Sequence, residues 1–214
     1  MIFHDVEQNS EEWFELRAGR LTSSNMGKVM ANYGKAFGNP AKQLASKIAV
    51  ELITGKPMDS NSFSNAHMER GHEQEPIARA LYEDEYFCDV TNGGFFGNDD
   101  LGCSPDGMVG ENGCIEIKSV IHSVHFENVK RQGIDPAYKW QCVANLHFTE
   151  SKWLDFISYC ADFPQGKRLY VYRLHVSEIA EQAEMMMSRI EEFMVLVESI
   201  KAMILHSDYS VNFK

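Results

Sequence analysis

Ser104-Pro105-Asp106-Gly107-Met108-Val109-Gly110-Glu111-Asn112-Gly113-Cys114-Ile115-Glu116-Ile117-Lys118-Ser119-Val120 is the stretch whose reading decides the fold. From Cys114 it is an apolar run broken at Glu116 and Lys118. Two residues apart in a strand, both side chains leave one face while Ile117 leaves the other. Gly110-Glu111-Asn112-Gly113 is a turn signal that folds this run back on Met108-Val109. Ser104-Pro105-Asp106-Gly107 is itself a rigid turn, so the hairpin returns Asp106 to the side of the strand. The spacing alone also fits a surface strand carrying a Glu–Lys pair with an Asp in a turn. The apolar run argues for the interior, where a Glu and a Lys must be paired or ligated.

Outward from this hairpin the pattern is helices first, then short strands. Ser10 before Glu11, Glu12 and Trp13 predicts a capped short helix, and Thr22-Ser23-Ser24 predicts the start of another that runs to Met30. Asn32 to Pro40 reads as loop, and a helix from Pro40 stops at Thr54 before Gly55-Lys56-Pro57. Residues 59–65 read as polar loop and 66–86 as a longer helix. Gly93–Gly97, Leu101–Ser104, Trp153–Cys160 and Arg168–Leu174 read as strands, residues 122–131 and 136–148 as helices. Ser177 is the expected cap of a last helix with apolar residues from Ile179 to Ile200. The expected class is α+β with an α/β core: a small mixed central sheet flanked by helices. The whole of 1–214 is expected to be one domain, with a helical N-terminal segment over residues 1–88, a catalytic sheet and helices over 89–176, and a closing helix over 177–206.

Composition limits the functions available. The 214 residues are 44% hydrophobic, enough for a core without disulfides. No apolar run reaches the 18 residues of a membrane span, and the acidic first twenty residues do not resemble a secretory signal, so a cytoplasmic protein is expected. The five cysteines include no CxxC pair, which argues against structural zinc or an iron–sulfur cluster. The net charge of −11 excludes a simple basic coat for nucleic acid. That charge is segregated: residues 17–56 hold seven bases and one acid, residues 57–116 thirteen acids and two bases. A basic segment beside a carboxylate-rich one can supply a phosphate track next to a cation site.

Two carboxylates converging with a lysine suit metal-dependent phosphodiester hydrolysis. Hard oxygens hold magnesium or manganese, and a lysine offsets charge developing on the phosphate. The Ile117 carbonyl is a plausible further ligand.

Four ordered blocks then carry a resemblance: Trp13 to Ser24; Gly71-His72-Glu73-Gln74-Glu75-Pro76-Ile77-Ala78; Cys103-Ser104-Pro105-Asp106-Gly107 with Glu116-Ile117-Lys118; and Tyr138-Lys139-Trp140-Gln141-Cys142. The chain resembles the phage lambda exonuclease and YqaJ family of viral recombination nucleases, within the PD-(D/E)XK superfamily. The resemblance implies metal ligation by Asp106, Glu116 and the Ile117 carbonyl, with Glu75 near or on a metal. It implies Lys118 as the catalytic lysine and Gln141 as a positioning residue. Arg17, Ser24 and Ser104 match positions that hold substrate phosphate. The family's basic residue beyond the catalytic lysine has no arginine counterpart, leaving His122, His125, Lys130 or Arg131 as substitutes. The activity implied is Mg-dependent (Mn possible) 5′-to-3′ digestion of one strand of duplex DNA from its end, to mononucleotides and a 3′ single strand. A homotrimeric ring, a single-strand annealing protein as partner and no membrane association complete that picture. An endonuclease of the same superfamily and a non-catalytic DNA-binding protein on the same fold are the rival readings.

Overall fold

The computed structural model describes residues 1–58 and 66–207, with side chains in the second stretch from residue 70 onward. The polar loop expected at 59–65 lies outside the described residues. Among those described, no helix is long and apolar enough to cross a membrane.

Strands β1 (Ile2–His4), β2 (Leu21–Thr22), β3 (Val90–Thr91), β4 (Phe95–Gly97), β5 (Leu101–Cys103), β6 (Gly107–Val109), β7 (Gly113–Ser119), β8 (Trp153–Tyr159) and β9 (Leu169–His175) form two sheets rather than one. Their orders are β1-β4-β5-β2 and β3-β6-β7-β8-β9. β7 is central in the second sheet. It pairs antiparallel with β6, Gly107 opposite Ile115, and parallel with β8, Glu116 opposite Phe156 and Lys118 opposite Ser158. A parallel neighbour needs a crossover, here supplied by α5 (His122–Arg131) and α6 (Lys139–Phe148).

The apolar half of α6 (Cys142, Val143, Ala144, Leu146) packs with Leu154 and Phe156 of β8 in the main core. That core also takes in α2 (Met26–Met30), α3 (Asn39–Thr54) and α7 (Ala180–His206). Met186 is fully buried, and Met185, Met187 and Met194 pack against the same core, so most of the methionines of α7 serve this chain's own interior. A second cluster, with Ala78 and Tyr82 of α4 (Ala66–Tyr86), closes the opposite face of β7 around Ile115 and Ile117.

Several boundaries depart from the sequence reading. The helix expected from Thr22 is strand β2, a 3-10 turn at Ser23–Asn25, and only then the five-residue α2. The two residues of β2 are too short to show alternation; their parallel pairing with β5 makes them a strand. The helix expected from 136 begins at Lys139, because Asp135 folds the preceding residues into a turn, accepting from Ala137 N–H on its carboxylate and from Tyr138 N–H on its carbonyl. Ser177 does not cap α7. It lies in a 3-10 turn, Val176–Glu178, whose capping box is made by His175 and Glu178.

The turn carrying Asp106 is seated against Gly93, where a Cβ would lie 1.8 Å from the Pro105 carbonyl oxygen. Only glycine permits this approach. Gly93→Ala is therefore expected to displace the Pro105–Asp106 turn and destabilise the protein by about 1–3 kcal/mol, the usual cost of overpacking. Denaturant unfolding of the variant checks it.

Candidate active site

Asp106 sits where β6 stops pairing with β7. Its N–H donates to the Ile115 carbonyl at 3.0 Å, and its Oδ2 accepts from Ile117 N–H at 2.6 Å, replacing the ladder bond that β6 no longer supplies. A strand residue turns N–H and C=O toward the same neighbour, so the Ile117 carbonyl leaves along the same edge, into the cleft that Ile117 lines. The sequence register is thus enough to bring Asp106 beside Glu116 and Lys118.

Glu116 is fully buried, both its oxygens are hydrogen-bonded, and Oε2 keeps one lone pair. Its Oε1 accepts from Lys118 Nζ and from Gln141 Nε2 at 2.6 Å; its Oε2 accepts from Asn145 Nδ2 at 2.6 Å. Gln141 and Asn145 are one turn apart on α6, so they face the strand together. Lys118 Nζ also lies 5.1 Å from the centre of the Tyr138 ring. Glu75 approaches from α4, where Arg79 Nη2 reaches both Glu75 Oε1, at 3.4 Å, and the Asp106 carbonyl.

These groups surround an open cleft of about 770 Å³ lined by Ser24, Glu75, Asp106, Ile117, Lys118 and Gln141, among others. Glu116 lies behind it. Burial, then the Asp106 charge, pushes Glu75 up to about 7 and Glu116 up to about 8; burial also raises Asp106. For Lys118, burial works against its charge, but Glu116 and Asp106 outweigh it and hold the ammonium protonated.

Asp106 raises the proton affinity of both Glu75 and Glu116, a field that a cation relieves, and hard carboxylate oxygens suit Mg²⁺ or Mn²⁺. Among the described residues no group of three His, Cys, Asp or Glu side chains is gathered closely enough to hold a metal ion by itself. A site open on one side suits an ion that keeps water and phosphate oxygens as ligands.

The phosphate-binding candidates divide. Ser24 is exposed at the cleft. Ser104 is buried behind it, and its Oγ accepts from Trp13 Nε1 at 2.8 Å. Arg17 lies on the face of the same indole, 4.0 Å from the ring centre, and donates to Thr22 Oγ1 and Ser24 Oγ. His125 is not placed for phosphate. Its ring is fully buried against Phe163, with Nδ1 on Ser158 Oγ (2.9 Å) and Nε2 on the Lys167 carbonyl (3.2 Å), because the first turn of α5 packs on β8. His122 is exposed on α5 and does not line the cleft, although Ile121 and Val124 do. Lys130 pairs with Glu127 at 3.9 Å and Arg131 donates to Asn128 Oδ1 at 2.8 Å, so neither candidate substitute turns inward. Besides Lys118, the cleft is lined by His72 and Arg70 of α4, and Arg70 Nη2 donates to the Ser119 carbonyl at 3.3 Å.

Sequence reasoning missed Asn145, Trp13, Arg79 and Arg70. For Asn145 the one signal was a polar residue on the apolar side of α6, flanked by Val143, Ala144 and Leu146.

Residues 12–152 match the family model for the YqaJ-like viral recombinase domain. The chain belongs to that family. LHK-Exo in complex with dAMP is 30% identical to it, with a TM-score of 0.76, covering 92% of this chain and 98% of that one. The alkaline exonuclease LHK-Exo from Laribacter hongkongensis, at 29% identity, has a TM-score of 0.74 over the same shares. A phage-related exonuclease from Haemophilus somnus 129PT, 12% identical with a TM-score of 0.63 over 87% of this chain and 95% of that one, shares the fold. No curated protein sequence matches. The α+β architecture is that of the PD-(D/E)XK-like exonucleases.

The raised carboxyls predict a pH dependence. An unfolded chain releases the Glu75 and Glu116 protons near the ordinary value of 4.5, whereas the folded protein keeps them to about 7 and 8. The metal-free protein therefore loses stability as pH rises between those values. A bound divalent cation offsets the loss, so magnesium is expected to raise the melting temperature more at pH 8 than at pH 6. Thermal melts in EDTA and in magnesium check it; equal increments would remove these two carboxyls from the cation's field.

Proposed function

We propose that this YqaJ-family chain is a metal-dependent DNA exonuclease. It digests one strand of linear duplex from the 5′ end, with Mg²⁺ (Mn²⁺ as substitute), releasing mononucleotides and leaving a 3′ single strand. The observation that carries this reading is Asp106, Glu116 and Lys118 gathered at one cleft, with Glu116 clamped by Gln141 and Asn145. Its likeness to LHK-Exo, solved with the mononucleotide dAMP, supports the reaction class.

Asp106, Glu116, the Ile117 carbonyl and Glu75 would hold the cation. When bound, it supplies positive charge to the phosphate oxygens and acidifies water. The chain's own residues do the rest. Gln141 and Asn145 fix the Glu116 carboxylate, so it needs no reorganisation during reaction. Lys118, held charged by its neighbours, offsets negative charge as it builds on the phosphate. Ser24 would donate to the terminal phosphate from the cleft wall, with Arg17 behind it and Ser104 holding the Trp13 ring on which Arg17 lies.

Assembly as a homotrimeric ring around duplex reconciles DNA binding with a net charge of −11, since only the lining need be basic. The emerging 3′ strand would pass to a single-strand annealing protein, in the cytoplasm of the cell or, for a phage-encoded chain, of the host.

Lys118→Ala and Glu116→Gln are each expected to cut hydrolysis about a hundredfold or more while leaving the circular-dichroism spectrum in place. The decisive assay uses linear duplex labelled separately at its 5′ and 3′ ends, with Mg²⁺ or EDTA, beside a closed circle. Label should leave the 5′ end first and only with metal; cutting of the closed circle would point to an endonuclease. Light scattering is expected to give three chains per particle, and a single-chain mass would reject the ring.

A further inference from the structure

Behind Ser24, which lines the cleft, Arg17, Thr22, Asn25 and Lys28 continue one hydrogen-bonded chain, and valence fixes its direction. Lys28 Nζ lies 2.8 Å from the Asn25 side-chain oxygen. An ammonium only donates, so the Asn25 carbonyl faces Lys28 and its Nδ2 donates to Thr22 Oγ1 at 3.1 Å. Arg17 Nη2, also a donor only, is 3.2 Å from both Thr22 Oγ1 and Ser24 Oγ, one N–H for each. Thr22 Oγ1 therefore accepts twice, and both its lone pairs are filled. The 3.3 Å contact between Thr22 and Ser24 must then carry the Thr22 proton toward Ser24. Ser24 Oγ in turn accepts from Arg17 and from Thr22. Its remaining capacity is its own O–H, and Ser24 is the member of this chain that lines the cleft.

We infer that Asn25 and Lys28 are positioning residues for recognition of the DNA end: through Thr22 they make the Ser24 hydroxyl a one-way donor toward the cleft. A hydroxyl free to turn would serve a 5′-hydroxyl as well as a phosphate. One that can only donate favours an oxyanion, and the cations at the head of the chain polarise it in that sense. This inference rests on the phosphate-pocket reading above, and it adds what makes that pocket select a terminal phosphate.

Breaking the chain behind Ser24 should release the selection. Initiation rates are measured on duplexes that carry a 5′-phosphate or a 5′-hydroxyl, and their ratio is the readout. Loss of folded enzyme lowers both rates together and cancels. The unmodified protein is expected to favour the phosphate about tenfold, the value of one charge-assisted bond. In Asn25→Leu and in Thr22→Val the ratio should fall toward one, while Thr22→Ser, which restores the hydroxyl, should keep it. A ratio of one in the unmodified protein overturns the pocket, and this inference with it. A preference kept in either broken variant overturns the inference alone, as does a fall with Thr22→Ser, which would mark a packing effect.

Discussion

Everything in this site follows from a carboxylate with no access to water. Glu116 sits in the middle of a strand whose neighbours in sequence are isoleucines, with zero exposed surface. An ion there is untenable without donors close by. Lys118 supplies one from the same strand, and α6 supplies two, through Gln141 and Asn145. That requirement fixes the rotation of α6 about its own axis. The same rotation sends Val143 and Leu146 into the core beside Leu154 and Phe156. Core packing and the orientation of the site are one constraint seen from two sides.

The edge of β7 is the second element of the arrangement. Where β6 ends, a backbone amide would lose its partner, and the Asp106 carboxylate takes it. Satisfying Ile117 N–H thereby holds an acid next to Glu116 and leaves the Ile117 carbonyl at an open edge. The cost is electrostatic, since Asp106 makes both Glu75 and Glu116 harder to ionise. Positive charge entering the cleft would relieve that cost.

The basic segment 17–56 meets this acidic centre through α1 (Glu11–Arg17) and β2. Trp13 joins the two regions, with Arg17 on its face and Ser104 at its edge. Glu51, the one acid of that segment, is buried and does local work, accepting from the Gly19 and Met58 amides at 3.0 and 2.8 Å. Of the bases in that segment, Arg17 and Lys28 enter the hydrogen bonds behind Ser24, while the acidic stretch supplies Glu75 and Asp106 to the cleft.

Strand parity put Glu116 and Lys118 on one face, and the hairpin signals at 104–113 returned Asp106 to them; both are local rules that hold wherever the strand lies. The ordered blocks of residues carried the family. What only the tertiary structure decided is which polar side chains of the helices turn inward. Asn145 reaches the site beside Gln141 and Glu75, which the ordered blocks had already supplied, whereas His125 is consumed by Ser158 and the Lys167 carbonyl. Helical periodicity defines an apolar side but not its angle to a sheet formed elsewhere in the chain, so a polar residue near its edge reads the same in either place. The strands β1 and β2 were hidden for a related reason. Two or three residues carry no alternation of their own, and partners eighty or more residues away made them strands.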